Sequence, residues 1–217
     1  MERVKYKAVI FDFDDTLVKS RLAKWAQHKH VAKKFYNIDV KEEDLLKHWG
    51  KPFNILVGEL YKHSDTLENM YKAVLSTKDH FPKKVYKESV NVIKQLLNKN
   101  IKVGVVSATT KEFLIEDLTK FGFPIGDFSI IQGADETLIH KPLPGVFLPM
   151  LSKLEKEGIR KNDIVYVGDS LDDLRASTEA GIDFIAVTTG LYSKKDFQEN
   201  GAKTVIKEIQ GVIAKLI

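Results

Sequence analysis

Near its start the chain carries a short apolar run, AVIF at 8–11, continuous enough for a strand buried on both faces. The period then becomes helical. Between 19 and about 80 the apolar positions predict helices over 20–36, 41–48, 52–62 and 65–78, and no strand. From about 85 the two patterns alternate: helix 85–99, strand 102–107, helix 111–121, strand 128–131, helix 144–157, strand 163–168, helix 171–180, strand 184–187, and a short strand and helix from 204. Strands separated by helices pair in parallel through right-handed crossovers, so this part predicts an α/β core with a doubly wound, Rossmann-like parallel sheet.

The first strand belongs with the later set. Residues 1–18 and 84–217 are therefore expected to form a discontinuous core, with 19–83 an inserted all-helical cap domain that serves as its lid. Leu17–Ser20 and His80–Lys84 are the expected hinges. Within the insertion Trp25, Trp49, Phe35 and Tyr36 read as cap core. His28 and His30, two apart on a helix, point to different faces and do not read as a metal pair.

At 217 residues, 43% hydrophobic and 29% charged, the chain has a globular composition and can bury a sizeable core. It has no cysteine, which removes disulfides, thiolate metal sites and cysteine nucleophiles, and leaves hard cations with oxygen ligands. A net charge of +4 arises from 30 lysines and 4 arginines against 30 acids. The lysines are spread evenly, as on a solvated surface, and form no basic stripe for nucleic acid. No run approaches the roughly 18 apolar residues that span a membrane. MERVKYKAVIF enters a strand pattern rather than a signal peptide, so a cytoplasmic location is expected.

Composition leaves one stretch unexplained: in AVIFDFDDTL, residues 8–17, the strand is followed by Asp12, Asp14 and Asp15. The short pattern Asp-x-Asp-x-Thr/Val arises by chance in roughly one such chain in six, so its meaning depends on its surroundings. In open parallel sheets ligands sit beyond the carboxyl ends of the strands, where the topology reverses. That edge would gather Asp12, Ser107 at the end of strand 102–107, Gly168-Asp169-Ser170 after strand 163–168, and Lys141 in HKPLPGVF, ahead of a helix starting near Pro144. Asp12, Asp14, Asp169 and Asp173 would repel one another, by about 1 kcal/mol per pair at about 4 Å in water and several-fold more at lower dielectric. Something positive must sit among them. Mg²⁺ suits carboxylate oxygens and keeps room for water and a phosphate, Lys141 adds a second positive charge, and Ser107 adds a neutral donor. Such a pocket fits a phosphoryl group.

The same residues resemble the haloacid dehalogenase superfamily, in its phosphoglycolate-phosphatase-like branch with a helical cap. Asp12, Asp14 and Thr16 match its first motif, Ser107 its second, Lys141 to Phe147 its third, and Gly168, Asp169, Ser170 and Asp173 its fourth. RASTEAGI and GAKTVI also resemble that branch. The resemblance implies a nucleophile, Asp12, that takes the phosphoryl group, and an acid–base partner, Asp14. It also implies that Ser107 and Lys141 contact or neutralise the phosphoryl oxygens. Mg²⁺ would be held by Asp12, the Asp14 carbonyl and Asp169, with Asp173 reached through water. Thr16, the backbone N–H of Ala108 and Lys51 are the implied substrate contacts, Lys51 because Gly50-Lys51-Pro52 resembles a Gly-x-Pro loop that selects substrate in this branch. Lys19 and Arg21 are weaker candidates of the same kind, and Asp15 and Asp172 read as solvent acids, helix N-terminal acids or supports behind the metal ligands, rather than as direct ligands. Ala108 departs from the Asn often found after the second-motif Ser, which leaves only a backbone contact there.

The implied activity is Mg²⁺-dependent hydrolysis of a small phosphorylated metabolite, with no nucleic-acid or membrane partner. Family dehalogenases and phosphonatases generally do without the second acid, so Asp14 argues against both. A hexose-phosphate mutase stays open as an alternative, and a non-catalytic binding module is disfavoured because no motif residue is lost. The sequence fixes neither the substrate nor the oligomeric state.

Overall fold

Along β1 (Ala8–Phe11) successive side chains enter two different cores: Val9 and Phe11 pack on one face of the sheet, Ala8 and Ile10 on the other. The same alternation holds in β6 (Ile164–Gly168), where Val165 and Val167 face one way and Ile164 and Tyr166 the other. Both faces are dry, which is why these strands read as continuous apolar runs. The computed structural model describes residues 5–216.

The remaining strands are the two-residue β2 (Val18–Lys19) and β3 (Lys84–Val85), then β4 (Lys102–Val106), β5 (Ile130–Gln132), β7 (Asp183–Val187) and β8 (Thr204–Ile206). Among the described residues six of these eight strands form one sheet in the order β5-β4-β1-β6-β7-β8, all parallel. The chain runs outward from β1 through β4 to β5, then returns to the other side of β1 and continues outward through β6 to β8. The direction therefore reverses at β1, where ligands of such sheets collect. Helices α5 (Ser89–Asn98), α6 (Lys111–Lys120), α7 (Leu148–Lys156), α8 (Leu171–Ala180) and α9 (Lys194–Glu199) accompany this sheet. In the sheet's register Phe11 lies opposite both Val105 and Val167, which brings the next residues along each strand to one edge.

The chain divides into two compact units, Met1–Val18 with Val85–Ile217, and Lys19–Lys84. β2 and β3 pair with each other in a separate two-stranded sheet. The second unit holds α1 (Arg21–Tyr36), α2 (Glu42–His48), α3 (Phe53–Leu60) and α4 (Leu67–Leu75) around its own core of Val31, Leu45, Val57, Tyr61 and Met70. His28 is buried there, its Nδ1 2.7 Å from the Tyr61 hydroxyl, and burial lowers its pKa to about 3. Trp25 is buried and meets Trp49 edge-on, but Phe35, expected in this core, is 44% exposed. No helix among the described residues is long and apolar enough to cross a membrane.

Several elements differ from their sequence expectation for local reasons. The helix expected over 144–157 is a 3-10 turn, Pro144–Phe147, followed by α7, which begins one residue before Pro149, where a missing N–H costs nothing. The strand expected at 128–131 is shifted to Ile130–Gln132. Gln132 is tolerated inside because its amide donates to the Val146 carbonyl at 2.7 Å. The last segment is a 3-10 helix, Ile209–Lys215, and α9 has no counterpart in the expected elements.

Candidate active site

Asp12 follows β1 directly, and its backbone N–H still donates to the Val167 carbonyl at 2.8 Å, so the acid leaves the sheet in register. Ser107 follows β4 and Asp169 follows β6. These placements are those expected from the ends of apolar strands. The acid side chains converge: Asp12, Asp169 and Asp173 are all buried, and each offers a carboxylate oxygen within 4.8 Å of the others.

Lys141 sits among them. Its ammonium donates to Asp12 Oδ1 at 2.7 Å and to the Val106 carbonyl at 3.3 Å, and forms an ion pair with Asp173 Oδ1 at 2.6 Å. The Tyr166 ring lies 5.1 Å below it, and the Tyr166 hydroxyl donates to the same Val106 carbonyl. Burial alone would lower the Lys141 pKa, but Asp12 and Asp173 hold it well above the ordinary lysine value. Burial pushes Asp12 up to about 7 against the pull of Lys141, helped by the charges of Asp173 and Asp14. Asp169 is raised well above its ordinary value by burial and by Asp12, Asp173 and Asp15.

The remaining residues build the walls. Ser170 caps α8: its hydroxyl accepts from the Asp173 N–H at 3.0 Å, while Asp173 Oδ2 accepts from the Ser170 N–H and hydroxyl. This leaves Oδ1 of Asp173 for Lys141. Thr16, expected at the substrate, is 1% exposed and donates to Asp169 Oδ1 at 3.0 Å. Its hydroxyl orients an acid. Asp14 is less buried than Asp12, and its Oδ2 accepts from the Thr109 hydroxyl at 2.8 Å. Ser107 Oγ accepts from the Thr109 N–H, and Ala108 lies half-buried between them. Asp15 takes a left-handed φ of 54°, and its carbonyl accepts from the Thr189 hydroxyl at 2.5 Å. Lys51 belongs to the other unit, in the turn between α2 and α3, with its Nζ 3.3 Å from His48 Nδ1.

Three contributors were not among the expected site residues: Thr109, Thr189 and Gly190. A side chain at Gly190 would collide with Asp169 Oδ2, so glycine is required for close approach. A lone Thr or Gly in a loop carries no signal of its own in sequence. Only the nearness of Thr109 to Ser107 pointed toward it.

Three carboxylates against one ammonium leave two formal negative charges in a buried site. Oxygen donors of that charge suit a hard divalent cation, which would offset the burial and the repulsion that lift Asp12 and Asp169. The cluster can therefore hold a metal ion.

The sequence profile of the haloacid dehalogenase-like hydrolases matches residues 9–187, from within β1 to the end of β7. The chain belongs to the haloacid dehalogenase-like hydrolases. Among relatives in this family, a phosphoglycolate phosphatase of Yersinia pseudotuberculosis is 30% identical over 202 residues, 86% of this chain and 84% of its own length. A pyrophosphatase, PpaX, of Oceanobacillus iheyensis is 23% identical over 218 residues, 95% of each chain. A crystal structure described as a predicted phosphoglycolate phosphatase from Haemophilus somnus superposes with a TM-score of 0.81 at 20% identity, covering 99% of each chain, and shows the same fold. Within the haloacid dehalogenase-like hydrolases this chain is thus an enzyme of the phosphatase kind.

Proposed function

We propose that the protein is a Mg²⁺-dependent phosphatase acting on a small phosphorylated metabolite, with Asp12 as nucleophile and Asp14 as acid and base. The observation that carries this reading is the buried arrangement of Asp12 and Asp173 on Lys141 with Asp169 alongside, at the sheet edge where the topology reverses. Asp12 and Asp169, with the Asp14 carbonyl, would hold the ion, and Asp173 would support it while anchored to Ser170 and Lys141. When bound, the ion supplies positive charge that draws the phosphoryl group toward Asp12.

Lys141 engages one oxygen of Asp12, so the second stays available to form a bond to phosphorus. As that bond forms, the ester P–O bond breaks, and Asp14 gives its proton to the departing oxygen. Asp14 then takes a proton from water, whose oxygen attacks the phosphorus of the aspartyl-phosphate and restores the Asp12 carboxylate. Ser107 donates to the phosphoryl oxygens. Lys141 keeps Asp12 fixed and offsets charge through both steps. The reading of residues 19–83 as a substrate-selecting cap belongs to the same proposal. Relatives named for phosphoglycolate and for pyrophosphate support a small phosphorylated substrate without choosing one.

Hydrolysis of p-nitrophenyl phosphate tests this reading. Release is expected with Mg²⁺, abolished by EDTA and by Asp12→Asn, with the variant's circular dichroism unchanged. Near-wild-type turnover in Asp12→Asn would overturn the nucleophile assignment. Absence of release under every condition would turn the search to hexose phosphates and a mutase.

A further inference from the structure

We infer that Thr109 is a positioning residue for Asp14 and holds its carboxyl group in place through both proton transfers. This rests on the acid–base assignment of Asp14 made above. Thr109 is 9% exposed and sits in the loop between β4 and α6. Its hydroxyl donates to Asp14 Oδ2 at 2.8 Å, a contact between residues 95 positions apart.

The hydroxyl does not swing freely, because its backbone is tied at both ends. The Thr109 N–H donates to Ser107 Oγ at 3.1 Å, and the Thr109 carbonyl accepts from the Ala134 N–H at 3.0 Å. A β-branched side chain has few χ1 choices on a fixed backbone, so the loop dictates where the oxygen lies. The loop that presents Ser107 thereby also aims Asp14, joining two functional groups from distant strands.

A threonine hydroxyl suits this task chemically. It can donate to a carboxylate and accept from a carboxylic acid, so one contact persists whichever way the proton has moved. An Asn or Lys side chain at this place could not do both with the same atom. Valine has the shape of threonine without the hydroxyl, and serine has the hydroxyl without the methyl. The pair separates hydrogen bonding from packing.

The test is a double-mutant cycle on kcat/KM for phenyl phosphate, whose leaving group needs a proton more than p-nitrophenolate does; every variant is read as the second-order constant of phenol release in a single turnover, so the Asp14→Asn background needs no second step. Thr109→Val should lower kcat/KM by about tenfold or more, chiefly in kcat, with Thr109→Ser restoring most of it. In an Asp14→Asn background the same change should cost less than about twofold, because the group being aimed is gone. If Thr109→Val does not fold, Thr109→Ala against Thr109→Ser makes the same comparison. Equal losses in both backgrounds, or a serine variant as poor as the valine one, would overturn the inference and leave Asp14 as assigned. Full activity of Asp14→Asn on phenyl phosphate would instead overturn the Asp14 assignment, and this inference with it.

Discussion

Asp12 is held by Lys141 on one oxygen, yet burial among other acids still pushes it up to about 7. Folded Asp12 therefore binds its proton more tightly than it does in the unfolded chain, where its pKa is 3.8. The stability this contributes is fully present below about pH 4 and is lost as pH rises through about 7. His28 works in the opposite sense: buried neutral with a pKa of about 3, it withdraws stability as pH falls below about 6.5. The two effects overlap in the wild type, so the Asp12 part is read as the stability difference between Asp12→Asn and wild type in EDTA. That difference should favour the Asn variant by about 2–3 kcal/mol more at about pH 8 than at about pH 5. Mg²⁺ should erase most of it at the higher pH by stabilising the wild type. Urea unfolding at the two pH values measures both, and a difference that ignores pH would contradict the placement of Asp12. Asp12, Ser107 and Asp169 were legible in the sequence because each stands just beyond a recognisable strand. Thr109, Thr189 and Gly190 were not, since their roles consist of contacts across 95 and 174 positions or of a missing side chain.

Among the elements, α8 links stability to the site most directly. Ser170 is both its N-cap and the group that fixes Asp173 Oδ2, so one side chain starts the helix and orients an acid. Ser170→Ala should cost about 1 kcal/mol in urea unfolding, and Ser170→Thr much less. A neutral Ser170→Ala would mean that the cap is carried elsewhere. Long elements were legible because periodicity needs length: β1, β4, β6, α1 and α8 lie within a residue or so of their expected bounds. The two-residue β2 and β3 cannot display a period, and the six-residue α9 is too short for an apolar stripe. SKKD at 193–196 did hold the signal for α9, a Ser that caps with an Asp three residues later, and the structure contains that box.

At the scale of the whole molecule, the two sequence patterns correspond to two compact units, one built on a parallel sheet and one on helices alone. The pattern reveals this division because a sheet covered on both faces and a helical core demand different apolar spacings. The net charge of +4 says nothing of the site, whose local balance is negative. The substrate is not legible at this scale either, because family membership fixes the phosphoryl-handling groups and leaves the leaving group open. The central claim is a phosphoryl group carried covalently by Asp12, and Asp14→Asn with p-nitrophenyl phosphate tests it most directly. That leaving group departs without a proton, whereas water still needs a base, so the first step should proceed and the second stall. After an acid quench, mass spectrometry should find one phosphate on the peptide bearing Asp12, matched by a stoichiometric burst of p-nitrophenolate. A burst that leaves that peptide unmodified would contradict it, and steady turnover would contradict Asp14 as the base of the second step.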